Sequence, residues 1–557
     1  MRVPGSDRPL RRPRVLVLDL SRPVVDTPEG HPLARMLAAR RPGLRDTLEV
    51  LEEAARDPRI RAVLARVDAP ARSWAHAEEL RRAIEAFRDS GKPAIAHAQS
   101  FSEAGDAALA YHLATAFDEI HLQPTGEVGV TGVALVQPFF AGLLDKLDVT
   151  PQLDHRHEYK AAKNVVTERK FTNAHRENVE QLAASRYQQL IEAVATGRRL
   201  DRGRVEELID RAPLAAAEAL AGGLVDRLAY RDQTVASVEE QVGDGARLVT
   251  FERYRARARR RRWRPGRPTV ALIHGHGTIL VGRDRRSIAG PVMGADSVVT
   301  AFQQARSDER VRAIVFRVDS PGGSVVASDA VWRAVAHTRE AGTPVVVSMG
   351  AVAGSGGYWV SAGADRIIAS AGTLTGSIGV VYGKFVTRGL RARLGISTDE
   401  IHYGANALML SNDQPFTDEQ WDHVGASLDR IYEQFLDRVS IGRGLTREQA
   451  HAVARGRVWL GADAVGHRLV DAIGGYREAF VAAARLAGLA PDTRVKVRAL
   501  PRMSLAERLG LRAPDAEEAR GLLGQLAGSV EALTRGAGPE ARMPDWADPA
   551  SRIGRGA

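Results

Sequence analysis

Ser355 lies in Ala353-Gly354-Ser355-Gly356-Gly357-Tyr358-Trp359, at the end of the apolar run PVVVSMGAVA. A serine at the glycine-flanked mouth of a helix can expose its hydroxyl to a bound carbonyl. The helix start also sets backbone N–H groups and positive dipole beside it. A second candidate, Asp319-Ser320-Pro321-Gly322-Gly323-Ser324, follows the strand-like run AIVFRV. Two glycines after a strand let backbone N–H groups turn toward a ligand oxygen, as an oxyanion hole requires. Taken singly, each stretch reads better as a tight turn chosen for close packing.

A serine hydroxyl is a poor nucleophile unaided, so a base is needed. No His–Asp pairing with Ser355 can be read. His274, His276, His155 and His157 have no convincing ligand set around them and read as loop or core residues. Nothing in the chain reads as a metal or cofactor site, and the absence of cysteine removes thiolate nucleophiles, thiolate–metal sites and disulfides. The alternative base is a desolvated lysine, whose pKa of about 10.4 must fall by roughly 3 units to work at neutral pH. The chain has only seven lysines. Lys160 stands in His157-Glu158-Tyr159-Lys160-Ala161-Ala162, with Lys163 and Lys170 as nearby rivals.

An internal repeat narrows the choice. Residues 57–73, DPRIRAVLARVDAPARS, and 308–324, DERVRAIVFRVDSPGGS, are identical at nine of seventeen positions. Asp118 and Ile120 match Asp365 and Ile367, and Leu224-Val225-Asp226 matches Leu469-Val470-Asp471 at an offset of 245. The offset drifts by only a few residues, so two complete copies lie in tandem. At matched positions the first copy has Ala108 for Ser355, Ala71-Arg72 for Gly322-Gly323 and Val130 for Ser377, while the second has Ala405 for Lys160. The serine occurs in one copy only and the lysine in the other only, a pattern that packing does not demand. Neither copy holds both residues, so no single domain can be active and every site must form where a first-copy domain meets a second-copy domain, within one chain or between chains.

The elements that position these residues follow a single pattern. VALIHG, AIVFRV, PVVVSMG and RIIAS read as buried strands, separated by helical stretches such as DAVWRAVAHTREAG. That is α/β alternation, a mainly parallel sheet flanked by helices, repeated twice. The 557 residues divide into a short tail at 1–12, a first domain at 13–250, an arginine-rich linker at 251–267, a second domain at 268–490 and a partly helical extension at 491–557. The net charge of +10 is almost entirely arginine and points only weakly to nucleic acid, which is not expected as a partner. The uncharged stretch 341–364 holds six glycines and a proline and reads as a strand, turn and helix rather than a membrane span.

DSPGGS, AGSGGYW, LTGSIGV at 374–380 and EYKAA, in the right order over roughly residues 13–490, resemble the long, duplicated form of signal peptide peptidase A (protease IV). The resemblance implies a ClpP/crotonase-like fold for each half. It implies Ser355 as nucleophile, Lys160 as general base, and Ser377 as the serine that hydrogen-bonds and orients that lysine. Gly322 or Gly323 matches the oxyanion donor, with Gly356 a weaker second. It further implies no cofactor, short apolar peptides such as released signal peptides as substrates, an acyl-enzyme intermediate, and a bowl of four chains. Bacterial relatives commonly carry an N-terminal membrane anchor, whereas this chain starts almost directly at its first strand. The expectation is therefore a cytoplasmic enzyme, with peripheral membrane contact through 253–267.

Three other readings compete. An α/β-hydrolase could draw on late histidines such as His423 or His451, but its elbow would need glycine at 353 and has no place for the duplication. A crotonase-like acyl-CoA enzyme would not need the Ser355/Lys160 pair. A non-enzymatic nucleic-acid binder would rest on the arginine block.

Overall fold

Val345–Gly354, with all ten residues buried, runs through the larger sheet of the second half. The structure, a computed structural model, describes residues 13–24, 26, 43–68, 71–103, 106–243, 246–262, 266–287, 290–490, 493–501 and 540–542. The short tail 1–12 and the expected helix of the C-terminal extension lie outside the described residues.

By its contacts the chain forms two compact units, and their borders do not follow the repeat. One comprises residues 1–134 and 184–266, the other 135–183 and 267–557. The first unit has a six-stranded sheet in the order Arg227–Leu228, Glu119–Leu122, Ala94–Ala98, Ile60–Arg66, Arg14–Asp19, Arg247–Thr250, paired in parallel throughout. β-branched and alanine side chains bury nearly all of its central strands. Where the sequence suggests a solvated linker, residues Phe251–Arg262 form a helix of this unit. Phe251, Tyr254 and Ala258 share one buried face at helical spacing, Tyr254 donates to Asp57 at 3.3 Å, and Arg255 pairs with Asp46 at 3.0 Å. Arginine excess hid an amphipathic pattern.

The second unit has an eight-stranded sheet whose path is Val458–Leu460, Leu374–Gly376, Val345–Gly354, Val311–Ser320, Thr269–His276, Lys496–Leu500. All its pairs are parallel except that between Leu374–Gly376 and Val458–Leu460. A smaller sheet runs Arg285–Ser287, Gly290–Gly294, Thr278–Leu280, Gly322–Ser324, Glu540–Arg542, Val381–Val386, Thr150–His155. Its last strand comes from the first sequence copy. Thr150–His155 pairs antiparallel with Val381–Val386 over six residues, His155 opposite Val381 and Thr150 opposite Val386. Asn178 bonds both the N–H and the carbonyl of Val458, at 3.0 and 2.8 Å. Arg156 holds the Gly425 carbonyl at 2.7 Å and pairs with Asp429. These bonds make 135–183 part of the second unit. Among the described residues no helix is long and apolar enough to cross a membrane.

Candidate active site

Ser355 ends the buried strand Val345–Gly354 and opens the helix Gly356–Ala362. Its φ of +53° lies where non-glycine residues are rare, a strained turn that only its surroundings can hold. Its N–H donates to the Gly376 carbonyl at 2.8 Å, and its own carbonyl accepts from Trp359 at 2.9 Å. The glycines that follow are there for room. A Cβ on Gly357 would sit 2.5 Å from the Ser320 carbonyl oxygen. One on Gly356 would sit 2.6 Å from Ser328 Oγ and 3.2 Å from both Gly322 Cα and Gly323 N. The PGG strand thus presses directly on the serine turn.

Lys160 is fully buried, in the second unit with Ser355. Its Nζ lies 2.8 Å from Ser355 Oγ, 2.8 Å from the Ser377 carbonyl oxygen and 3.0 Å from Ser377 Oγ. Burial pushes its ammonium well below the ordinary lysine range. Lys170 is exposed and Lys163 half-buried; the hydrogen bond to Ser355 is made by Lys160. Ser377, at φ +51°, is fixed by its N–H to the Arg457 carbonyl at 2.7 Å. The expectation of a site formed where two separate copies meet is corrected here. Serine and lysine of one chain meet inside one unit, because the lysine's segment folds with the serine's sheet.

Of the two glycines in the PGG turn, Gly322 donates its N–H to Ser320 Oγ at 3.1 Å. Gly323 N lies on the Gly356 side of the turn. The histidines stand apart from this chemistry. His423 is exposed, His451 Nδ1 lies 3.0 Å from the Tyr432 hydroxyl, and burial together with the charge of Lys163 pushes His155 down to about 4. His276 faces Asp319 at 3.7 Å, and His274 is half-buried near Tyr476. His157 packs its ring on Tyr432 at 4.3 Å.

Sequence reasoning passed over the residues that make room for the lysine. Gly456, at φ +82°, lies so close that a Cβ would come 2.3 Å from Lys160 N, and one on Gly379 would reach Lys160 Cδ at 3.1 Å. Tyr159 N–H donates to the Arg455 carbonyl at 3.2 Å and Gly456 N–H to that of Ile378 at 2.8 Å, so the lysine loop docks backbone to backbone. A lone glycine in ARGRVW gives no sign of this. Lys384, also buried, donates to the Met409 carbonyl at 2.8 Å over the Phe416 ring, a structural use of lysine.

Residues 86–244 and 337–490, more than half of the chain, match Peptidase family S49. Protease 4 of Haemophilus influenzae is 31% identical over 475 residues, covering 81% of this chain and 74% of that protein. The chloroplastic serine protease SPPA of Arabidopsis thaliana is 29% identical over 459 residues, covering 81% and 67%. Among solved structures, a ClpP1 mutant from Listeria monocytogenes aligns at 14% identity with a TM-score of 0.24, covering 38% of this chain and 94% of that one.

Proposed function

Because the chain belongs to peptidase family S49 and is a serine peptidase, we propose that it cleaves peptides with a Ser355–Lys160 dyad. The observation that carries this reading is the 2.8 Å approach of a fully buried lysine nitrogen to Ser355 Oγ. A neutral amine has two N–H groups and one lone pair. With the N–H groups given to the carbonyl and hydroxyl of Ser377, the lone pair faces the Ser355 hydroxyl. Ser355 Oγ then attacks the scissile carbonyl carbon as its proton passes to Lys160. The N–H groups of Gly323 and Gly356 take the developing oxyanion, Gly322 being engaged with Ser320. When the C–N bond breaks, Lys160 returns the proton to the leaving amine. Water, deprotonated by the same lysine, hydrolyses the ester and frees Ser355.

Ser355→Ala should lower cleavage of an unstructured apolar peptide by ~10³-fold or more and leave thermal unfolding unchanged. Near-normal cleavage would overturn the dyad. The proposed substrates are short apolar peptides, released signal peptides included, taken by a ring of four chains. Support for assembly comes from the second-copy counterpart of the lysine segment. There Ile401 and Tyr403 are 91% and 93% exposed, apolar surface suited to another chain. The proposed location is the cytoplasm, with 253–267 as an electrostatic contact to anionic lipid. Cell fractionation checks it: protein that stays in the membrane through a high-salt wash contradicts a peripheral contact.

A further inference from the structure

Arg457 reaches both sides of the buried lysine with different parts of itself. Its carbonyl accepts the Ser377 N–H at 2.7 Å, which fixes the turn whose carbonyl and hydroxyl meet Lys160 Nζ. Its guanidinium points to the loop that carries the lysine. There it lies over the Tyr159 ring, 4.7 Å from the centroid, and pairs with Glu177 at 2.9 Å. Tyr159 is the residue before Lys160, and its hydroxyl donates to the same carboxylate at 2.9 Å. The Trp459 ring lies 4.9 Å from the same guanidinium. A planar guanidinium can stack on rings and bond a carboxylate at once, whereas an ammonium is a point charge.

Arg455, two residues earlier, supplies a contrast. Its guanidinium also lies over the Tyr159 ring, at 5.6 Å, and pairs with Glu158. That side chain is 42% exposed against 18% for Arg457, and it lacks the second ring, so water screens most of what it offers. The repeat adds an independent observation. At the offset of 245, Gly404 stands for Tyr159 and Ala212 for Arg457. The ring occurs only in the copy that supplies Lys160, and the guanidinium only in the copy that supplies Ser355. This is the same reciprocal split as that of the lysine and the serine.

We propose that Arg457 is a positioning residue for Lys160: its guanidinium clamps Tyr159, so that the lysine amine keeps its place between Ser377 and Ser355. The proposal rests on the Ser–Lys reading above and adds a residue that acts on the base without touching substrate. Tyr159 and Lys160 are adjacent, so slack at the ring passes directly into the lysine backbone. Slack has two effects. It loosens the 2.8 Å approach of Nζ to Ser355 Oγ, which lowers kcat. It also admits water to the amine, which undoes the burial that lowers the lysine pKa.

The test uses the full chain. Arg457→Ala should lower kcat ~10- to 100-fold, hold KM within about threefold and move the rising limb of the pH–rate profile to higher pH. Arg455→Ala removes the same charge from the same ring and should stay within about threefold. Arg457→Lys keeps the charge but not the plane and should recover little of the lost rate. Tyr159→Phe keeps the ring and should stay close to wild type. Tyr159→Ala should match Arg457→Ala, and the double variant should be no worse than either, because both cut one contact. Should Arg457→Ala fail to fold, Arg457→Lys and Tyr159→Ala decide by the same readouts. The Lys160 pKa is read without turnover, by NMR of ¹³Cε-lysine in Ser355→Ala chains with and without Arg457→Ala. A rise is expected even if the protein cuts nothing, so failure of the peptidase reading shows as absent turnover alone. An unmoved Lys160 pKa and pH limb would overturn the clamp, since lost packing alone lowers thermal stability and leaves both in place. Full recovery by Arg457→Lys, or additive losses in the double variant, would overturn it too.

Discussion

Tyr111 donates to the Leu224 carbonyl at 2.7 Å in the first unit, and Tyr358 donates to that of Leu469 at 2.9 Å in the second. The correspondence goes further. Arg198 grips Asp226, which accepts from Ile120 N–H at 2.7 Å; Arg443 grips Asp471, which accepts from Ile367 N–H at 2.7 Å. Arg88–Asp118–Ala94 in one unit repeats as Arg339–Asp365–Val345 in the other. Gly197 and Gly442 each lie where a Cβ would strike a carbonyl oxygen, that of Thr115 at 2.2 Å and that of Ala362 at 1.8 Å. Against this shared frame the polar site residues differ. Ser355, Ser377 and Gly456 face Ala108, Val130 and Arg211 at matched positions, and Val130 lines a small apolar pocket with Val128, Leu214 and Leu224. Buried hydrogen bonds are needed by any copy that folds, since each orphaned partner costs about 1–3 kcal/mol. The proposed nucleophile, base and orienting serine would be needed only where peptides are cut.

The comparison breaks most sharply at the base. Lys160→Arg keeps the charge but cannot give up its proton at working pH, so peptidase activity should fall ~10³-fold or more, whereas Lys163→Ala should stay within about twofold. The pH profile follows from the sign of the shift. Burial lowers the Lys160 pKa, so the lysine is protonated and idle at low pH, and the rate climbs as pH rises through that lowered pKa. Equal damage from Lys163→Ala, or a rate falling with pH over that range, would reassign the base. Next in size is Gly456→Ala, whose Cβ would meet Lys160 N and shift the amine. A displacement near 1 Å should cost ~10²-fold in kcat with a smaller change in KM. The smallest effect sharpens the likeness instead. Arg198→Ala and Arg443→Ala should destabilise by similar amounts, about 1.5–3 kcal/mol each in thermal or denaturant unfolding. A large KM change from either would mean that the frame also carries chemistry.

Much of this was legible in the sequence. The duplication showed through its matched blocks, and the strand and turn around Ser355 through an uncharged, glycine-rich run. Lys160 and Ser377, which the structure gathers around Ser355, stood out because the other copy lacks them. What was not legible depended on long-range pairing. TPQLDH is a poor strand by composition, and only its ladder with Val381–Val386 assigns 135–183 to the second unit. That the Ser320 hydroxyl takes the Gly322 N–H, which favours Gly323 as the proposed oxyanion donor, no spacing rule reveals. Three residues at 540–542 are too few to read as a strand at all.

The passage of 135–183 into the second unit also has a consequence in time. Lys160 leaves the ribosome 195 residues before Ser355. At about 5–20 residues per second, the proposed base is made roughly 10–40 s before the proposed nucleophile. During that interval the strand Thr150–His155 has no Val381–Val386 to pair with, and the lysine has no pocket to strip its proton. A nascent chain, surrounded by other unfolded polypeptide, is therefore harmless until most of its length is out. Splitting the proposed pair between the two copies works as a delay line, and either order of the copies would keep it.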